Sequence, residues 1–151
     1  RSEIEKEKEI EKEIDILFIG TINKRRQNIL DKLHDYSKNN SLFYNIKIVS
    51  ATFDNELIEL IKKSKLIINL HYCNNSLLEI FRIHDLLCFN SNIISEYPKV
   101  KEEFNLIKKY ENIIKFFPII ENDLNNINKM FDIIETTMPA VDSLSMSLQS
   151  K

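Results

Sequence analysis

The chain has 151 residues, a net charge of −2 and a pI near 6.0, so it has the length for one domain with its own core and not for two. That charge balance excludes the general attraction to nucleic acid or anionic membranes that a basic excess provides, and an anionic ligand must be held locally. No apolar run approaches the roughly 20 residues that span a bilayer, and the N-terminus is a charge run unlike a signal peptide; the expectation is a cytoplasmic protein without a transmembrane segment, in the host cytoplasm if it is viral.

Residues 1–14 form a charged helical lead-in or linker. Between Ser2 and Glu13 opposite charges meet at i,i+3 (Glu3 with Lys6, Glu5 with Lys8). Like charges meet at i,i+4 (Glu5 with Glu9, Lys8 with Lys12), so small terms support and oppose the helix about equally. A domain over 15–136 follows. Ile16 to Ile19 is a strand, then comes Gly20, and a helix from about Asn23 to Tyr36 carries Ile29, Leu30 and Leu33 on one face. Ile46 to Ser50 is the second strand, and Asp54 is the N-cap candidate of a helix with Leu57, Ile58, Leu60 and Ile61 inside. Leu66 to Leu70 is the third strand. An amphipathic helix bearing Glu79, Arg82 and Asp85 leads to a fourth strand, Asn92 to Ser95. Helices at about Lys99–Tyr110 and Asn122–Ile134 flank a fifth strand, Ile113 to Phe117, which Pro118 ends. From Met138 the serine-rich texture without an apolar face predicts a flexible tail over 137–151.

Near-continuous apolar strands alternating with helices predict an α/β fold. Its centre is a Rossmann-like parallel sheet of about five strands, with helices on both faces. In such sheets ligands bind at the carboxyl ends of the strands. The chain is rich in Ile, Asn and Lys with a single glycine, a composition that suits an AT-rich genome such as that of a large DNA virus or a parasitic protist. Cys73 and Cys88 have neither CxxC spacing nor a histidine at zinc-like spacing, so they read as ordinary thiols and no metal site is expected.

Three clusters carry candidate chemistry. In the turn Gly20-Thr21-Ile22-Asn23-Lys24-Arg25-Arg26, glycine permits close backbone approach, and helix N-terminal amides with two arginines suit a phosphate. The same pattern also describes a tight turn followed by a solvated basic helix start. Asn69 and His71 fall on one side of the third strand as it runs out, where both can face one crevice, although a lone histidine is more often structural. Glu79 and Arg82 are helical neighbours with Asp85 one turn on, which reads either as a ligand-facing group or as an exposed ion pair of little energetic consequence.

The phrases DILFIGTINKRRQNILDKL, KLIINLHYCNNSLLEIFRIHDLL and NIISE together resemble a group of bacterial and viral glycosyltransferase-like proteins, over roughly Asp15 to Pro118 and in the same order and spacing. The resemblance implies the C-terminal, nucleotide-sugar-binding half of a GT-B type glycosyltransferase. It carries donor-binding roles onto Gly20, Thr21, Arg25, Arg26, Asn69, His71, Glu79, Arg82, Asp85 and Glu96, with ribose hydroxyls on Glu79 or Asp85 and diphosphate on Arg82. It implies a nucleoside diphosphate sugar as substrate, no cofactor, and an N-terminal acceptor-binding domain elsewhere that supplies the general base. One departure is Cys88-Phe89-Asn90-Ser91, which stands where the group has a glycine before the fourth strand. The rival expectation is a non-catalytic Rossmann-like interaction module derived from such an enzyme. A receiver-like signalling domain is set aside, since it needs acids where this chain has Gly20 and His71.

Overall fold

The structure is a computed structural model that describes residues 12–49, 55–72, 92–98, 108, 113–121 and 123–149, with side chains to Met138. The lead-in up to residue 11, Asp54, the helices expected at 99–110 and between the third and fourth strands, and both cysteines lie outside the described residues.

Five strands form one wholly parallel sheet: β1 (Ile14–Ile19), β2 (Ile46–Val49), β3 (Ser64–Asn69), β4 (Ile93–Glu96) and β5 (Ile114–Phe117), in the order β2-β1-β3-β4-β5. Burial follows that order. β1, β3 and β4 are almost wholly buried, while Lys47 and Ile48 of edge strand β2 and Lys115 of edge strand β5 are exposed. Runs such as IDILFI and SKLIIN therefore lack strict polar alternation, because both of their faces are covered.

Two cores flank the sheet. On one face α1 (Lys24–Asn39) and α3 (Ile127–Gln149) place Ile29, Leu30, Leu33, Met130 and Ile134 against Ile16, Phe18, Leu66, Ile68 and Phe117. On the other, α2 (Asn55–Lys62) packs Leu57 and Ile61 on Leu17, Ile19, Ile67, Ile93 and Ile114. The fold is thus the expected α/β sheet with helices on both faces. Between α1 and α3, Tyr36 stacks on Phe131 at 4.1 Å between ring centroids.

Two boundaries differ from expectation. Ile14 and Asp15 already belong to β1, tied by Ile14 N to Lys63 O and by Asp15 N to Asn45 O. The tail expected from residue 137 is instead helical, for α3 runs 23 residues to Gln149 and passes Pro139. Proline forfeits one intrahelical bond, which stops a helix only where little else favours it, and the flanking Met, Ala and Leu are good helix formers. Among the described residues no helix is long and apolar enough to cross a membrane.

Candidate functional site

The strand order reverses between β1 and β3, parallel neighbours whose following strands, β2 and β4, lie on opposite sides of the pair. This is the switch point where open parallel sheets leave a crevice at the strands' carboxyl ends. β1 ends there in Gly20, whose φ of 151° lies in a region that side chains disfavour. Its amide is held by Val49 O at 2.9 Å. The chain then turns into α1 through Asn23, an extended N-cap whose side chain accepts from Arg26 N at 2.8 Å. Asn23 also donates through Nδ2 to Tyr72 O, linking the β1 and β3 loops. The amides of Lys24 and Arg25 keep no partner among the described residues, and Lys24 and Thr21 are exposed.

The two arginines do something the sequence pattern did not disclose. Arg26 is 3% exposed, and its guanidinium donates to Leu70 O from Nε (3.1 Å) and Nη2 (2.8 Å) and to Thr21 O from Nη1 (2.7 Å). It lies 5.2 Å from the Phe18 ring centroid and 5.4 Å from that of Tyr72. Arg25 reaches across the strand ends to Glu96, a fork-to-fork ion pair with Nη1 to Oε1 at 3.0 Å and Nη2 to Oε2 closer still. The same guanidinium donates to His71 O at 2.8 Å and Ile120 O at 2.9 Å, while its Nε is buried without a partner among the described residues.

Glu96 is wholly buried at the end of β4 and its carboxylate is saturated. Beyond the two arginine bonds, Oε1 accepts from His71 N and Oε2 from Ile120 N, each at 2.8 Å. One carboxylate and one guanidinium thus clamp α1, the β3 loop, β4 and the β5 loop together. The guanidinium groups expected to grip phosphate are engaged within the protein, Arg25 in this clamp and Arg26 on the Leu70 and Thr21 carbonyls, and Glu96, expected to contact a donor, faces protein on every lone pair. A buried carboxylate has to be paired, so Glu96 at the end of an apolar strand was the signal available in the sequence. Its partner 71 residues away in the chain was not.

Asn69 and His71 are brought to the same edge. Asn69, in register with Ser95 across β3 and β4, donates from Nδ2 to Ser95 Oγ at 2.9 Å. His71, 3% exposed, donates from Nε2 to Tyr97 O at 2.9 Å. Tyr97 in turn stacks on Phe116 at 5.1 Å. Glu79, Arg82 and Asp85 lie outside the described residues. Beside Arg25 a cleft of about 380 Å³ opens, lined by Lys24, Asn28, Ile29, Glu121 and Leu124. A wider hollow of about 760 Å³ at Glu121, Asp123, Asn125 and Asn126 carries two carboxylates and is unsuited to an anion. Among the described residues no three His, Cys, Asp or Glu side chains are grouped to hold a metal ion.

The chain is similar to the uncharacterized protein L140 of Acanthamoeba polyphaga mimivirus, with 32% identity over 136 residues. That similarity covers 85% of this chain but 42% of the viral protein, so the chain spans less than half the length of its relative. A viral relative agrees with one of the two origins that the composition suggests. No family model matches the chain, and no solved structure matches it.

Proposed function

We propose that this chain is the nucleotide-sugar-binding half of a glycosyltransferase, taking a nucleoside diphosphate sugar at the carboxyl edge of its sheet. The observation that supports this most is the convergence of Gly20, the open α1 N-terminus and the Asn69–His71 pair on the β1/β3 switch point. In this reading the diphosphate sits against the Lys24 and Arg25 amides and the exposed Lys24 ammonium, where free N–H groups and the helix dipole favour negative charge. Arg25 and Arg26 act indirectly, by fixing the loop carbonyls beneath the turn. Attack by an acceptor hydroxyl on the anomeric carbon would release the diphosphate, which these amides stabilise as its charge develops. In this reading the acceptor site and the general base come from outside this chain.

A second reading, an interaction module that binds no nucleotide, is favoured by one observation: both guanidinium groups are already consumed within the protein. Calorimetric titration with UDP, GDP and their sugars separates the two. Saturable binding weakened by high salt and by Lys24→Ala supports the donor site, and silence towards every nucleotide supports the module.

A further inference from the structure

We propose that Asn69 and His71 form a two-acceptor seat for the adjacent hydroxyls of a sugar ring, an inference that rests on the nucleotide-sugar reading above. The hydrogen-bond directions leave little freedom. Ser95 has one hydroxyl proton and gives it to Glu96 O at 3.0 Å, so towards Asn69 its oxygen can only accept. Asn69 must therefore turn Nδ2 to Ser95, and its Oδ1 away. Tyr97 O is a carbonyl and also only accepts, which places the proton of neutral His71 on Nε2 and the lone pair on Nδ1. Neither Asn69 Oδ1 nor His71 Nδ1 has a partner among the described residues, although the two residues are only 7% and 3% exposed.

The two acceptors share a side and are held there. Leu66, Ile68 and Leu70 pack into the core under α1, whereas Ile67 packs into the core under α2. Alternation continues that second face through Asn69 and His71. The backbone of His71 is clamped at both ends, its N by Glu96 and its O by Arg25. Two fixed acceptors with no donor between them refuse a phosphate, which also accepts, and match a ligand that brings two O–H donors. A vicinal diol does so, and a nucleoside diphosphate sugar carries one on its ribose and others on its hexose.

The test uses the full chain with UDP, 2′-deoxy-UDP and UDP-glucose as probes, by calorimetry and by side-chain nitrogen NMR of His71. In the free protein Nε2 is expected to carry the proton and Nδ1 to be bare, and Nδ1 alone should shift on ligand addition. Wild type should bind UDP about tenfold more tightly than 2′-deoxy-UDP, the worth of one good hydrogen bond. In His71→Phe, checked for fold by circular dichroism, that preference should vanish. If the preference appears only between UDP-glucose and UDP, and vanishes in the same variant, the seat holds the hexose diol. A bare Nε2, or nucleotide binding that neither the missing hydroxyl nor His71→Phe alters, overturns the seat while leaving the nucleotide reading intact. Failure of wild type to bind any of the three overturns both.

Discussion

Glu96→Gln is the substitution whose consequence the structure fixes most closely. The carboxylate is wholly buried and receives four N–H groups, from His71 N, Ile120 N and both terminal nitrogens of Arg25. A glutamine of the same shape offers one oxygen and one NH₂, so in either orientation two of those donors confront a donor. The Arg25 guanidinium, its side chain 12% exposed, also loses its counter-charge. Breaking a buried pair from one side costs about 3–5 kcal/mol, and a loss of ~4 kcal/mol is roughly a thousandfold in the unfolding equilibrium. Urea unfolding followed by circular dichroism should show the midpoint falling by about 2 M for an m-value of ~2 kcal/mol/M. Arg25→Met should cost a similar amount, and the double variant Arg25→Met/Glu96→Gln should cost less than the sum by about 2 kcal/mol or more, since no unpaired charge is then left buried, although one of the His71 and Ile120 amides still faces the new side-chain NH₂ at position 96. A midpoint shift under about 0.5 M for Glu96→Gln, or additive single variants, would refute the clamp.

Other consequences follow from the same geometry. Gly20→Ala should destabilise by about 1–3 kcal/mol, because alanine does not tolerate a φ of 151°; thermal unfolding measures it. Asn23→Ala should cost about 1 kcal/mol through loss of the N-cap, and hydrogen exchange should rise in the first turn of α1 and at the Tyr72 loop that Asn23 tethers. Phe117→Ala, which empties a fully buried position between β5 and α3, should cost about 3–5 kcal/mol in urea unfolding. The Tyr36 hydroxyl donates to Glu135 at 2.6 Å, and this bond, with burial and nearby acids adding to it, pushes its pKa from 10.0 up to about 12. A raised folded pKa means that the stabilisation is complete below pH 10 and is lost as pH rises towards 12. Tyr36→Phe should remove that loss from the pH profile of unfolding and remove a step near pH 12 from the tyrosinate absorbance titration.

The sheet was legible because β1, β3 and β4 are apolar on both faces and each strand is punctuated by a turn or a helix. The strand order was not read from the sequence, although exposed Lys47 and Lys115 fall on the two edge strands, β2 and β5. The end of α3 was not, since serine-rich sequence lacks an apolar stripe whether or not the backbone is helical. For the site, position was legible and role was not. The turn at Gly20 and the pair Asn69 and His71 can be placed from strand ends alone. Whether Arg25 points to a ligand or to Glu96 depends on which residue lies opposite after folding, and no local spacing encodes a contact between α1 and β4. The sequence pattern groups basic residues with a phosphate, and the folded chain pairs them with the carbonyls and the carboxylate that the strand ends leave unsatisfied.

The most direct test of the nucleotide-sugar account is an amide NMR titration of the uniformly ¹⁵N-labelled chain with UDP-glucose and, separately, GDP-linked sugar. The account predicts saturable shifts at Gly20, Thr21, Lys24, His71 and Tyr72, with the far ends of the strands, Ile14 and Ser64, unmoved. Absence of shifts with every nucleotide sugar, or shifts confined to the β2 edge at Phe43 to Ile48, would contradict it.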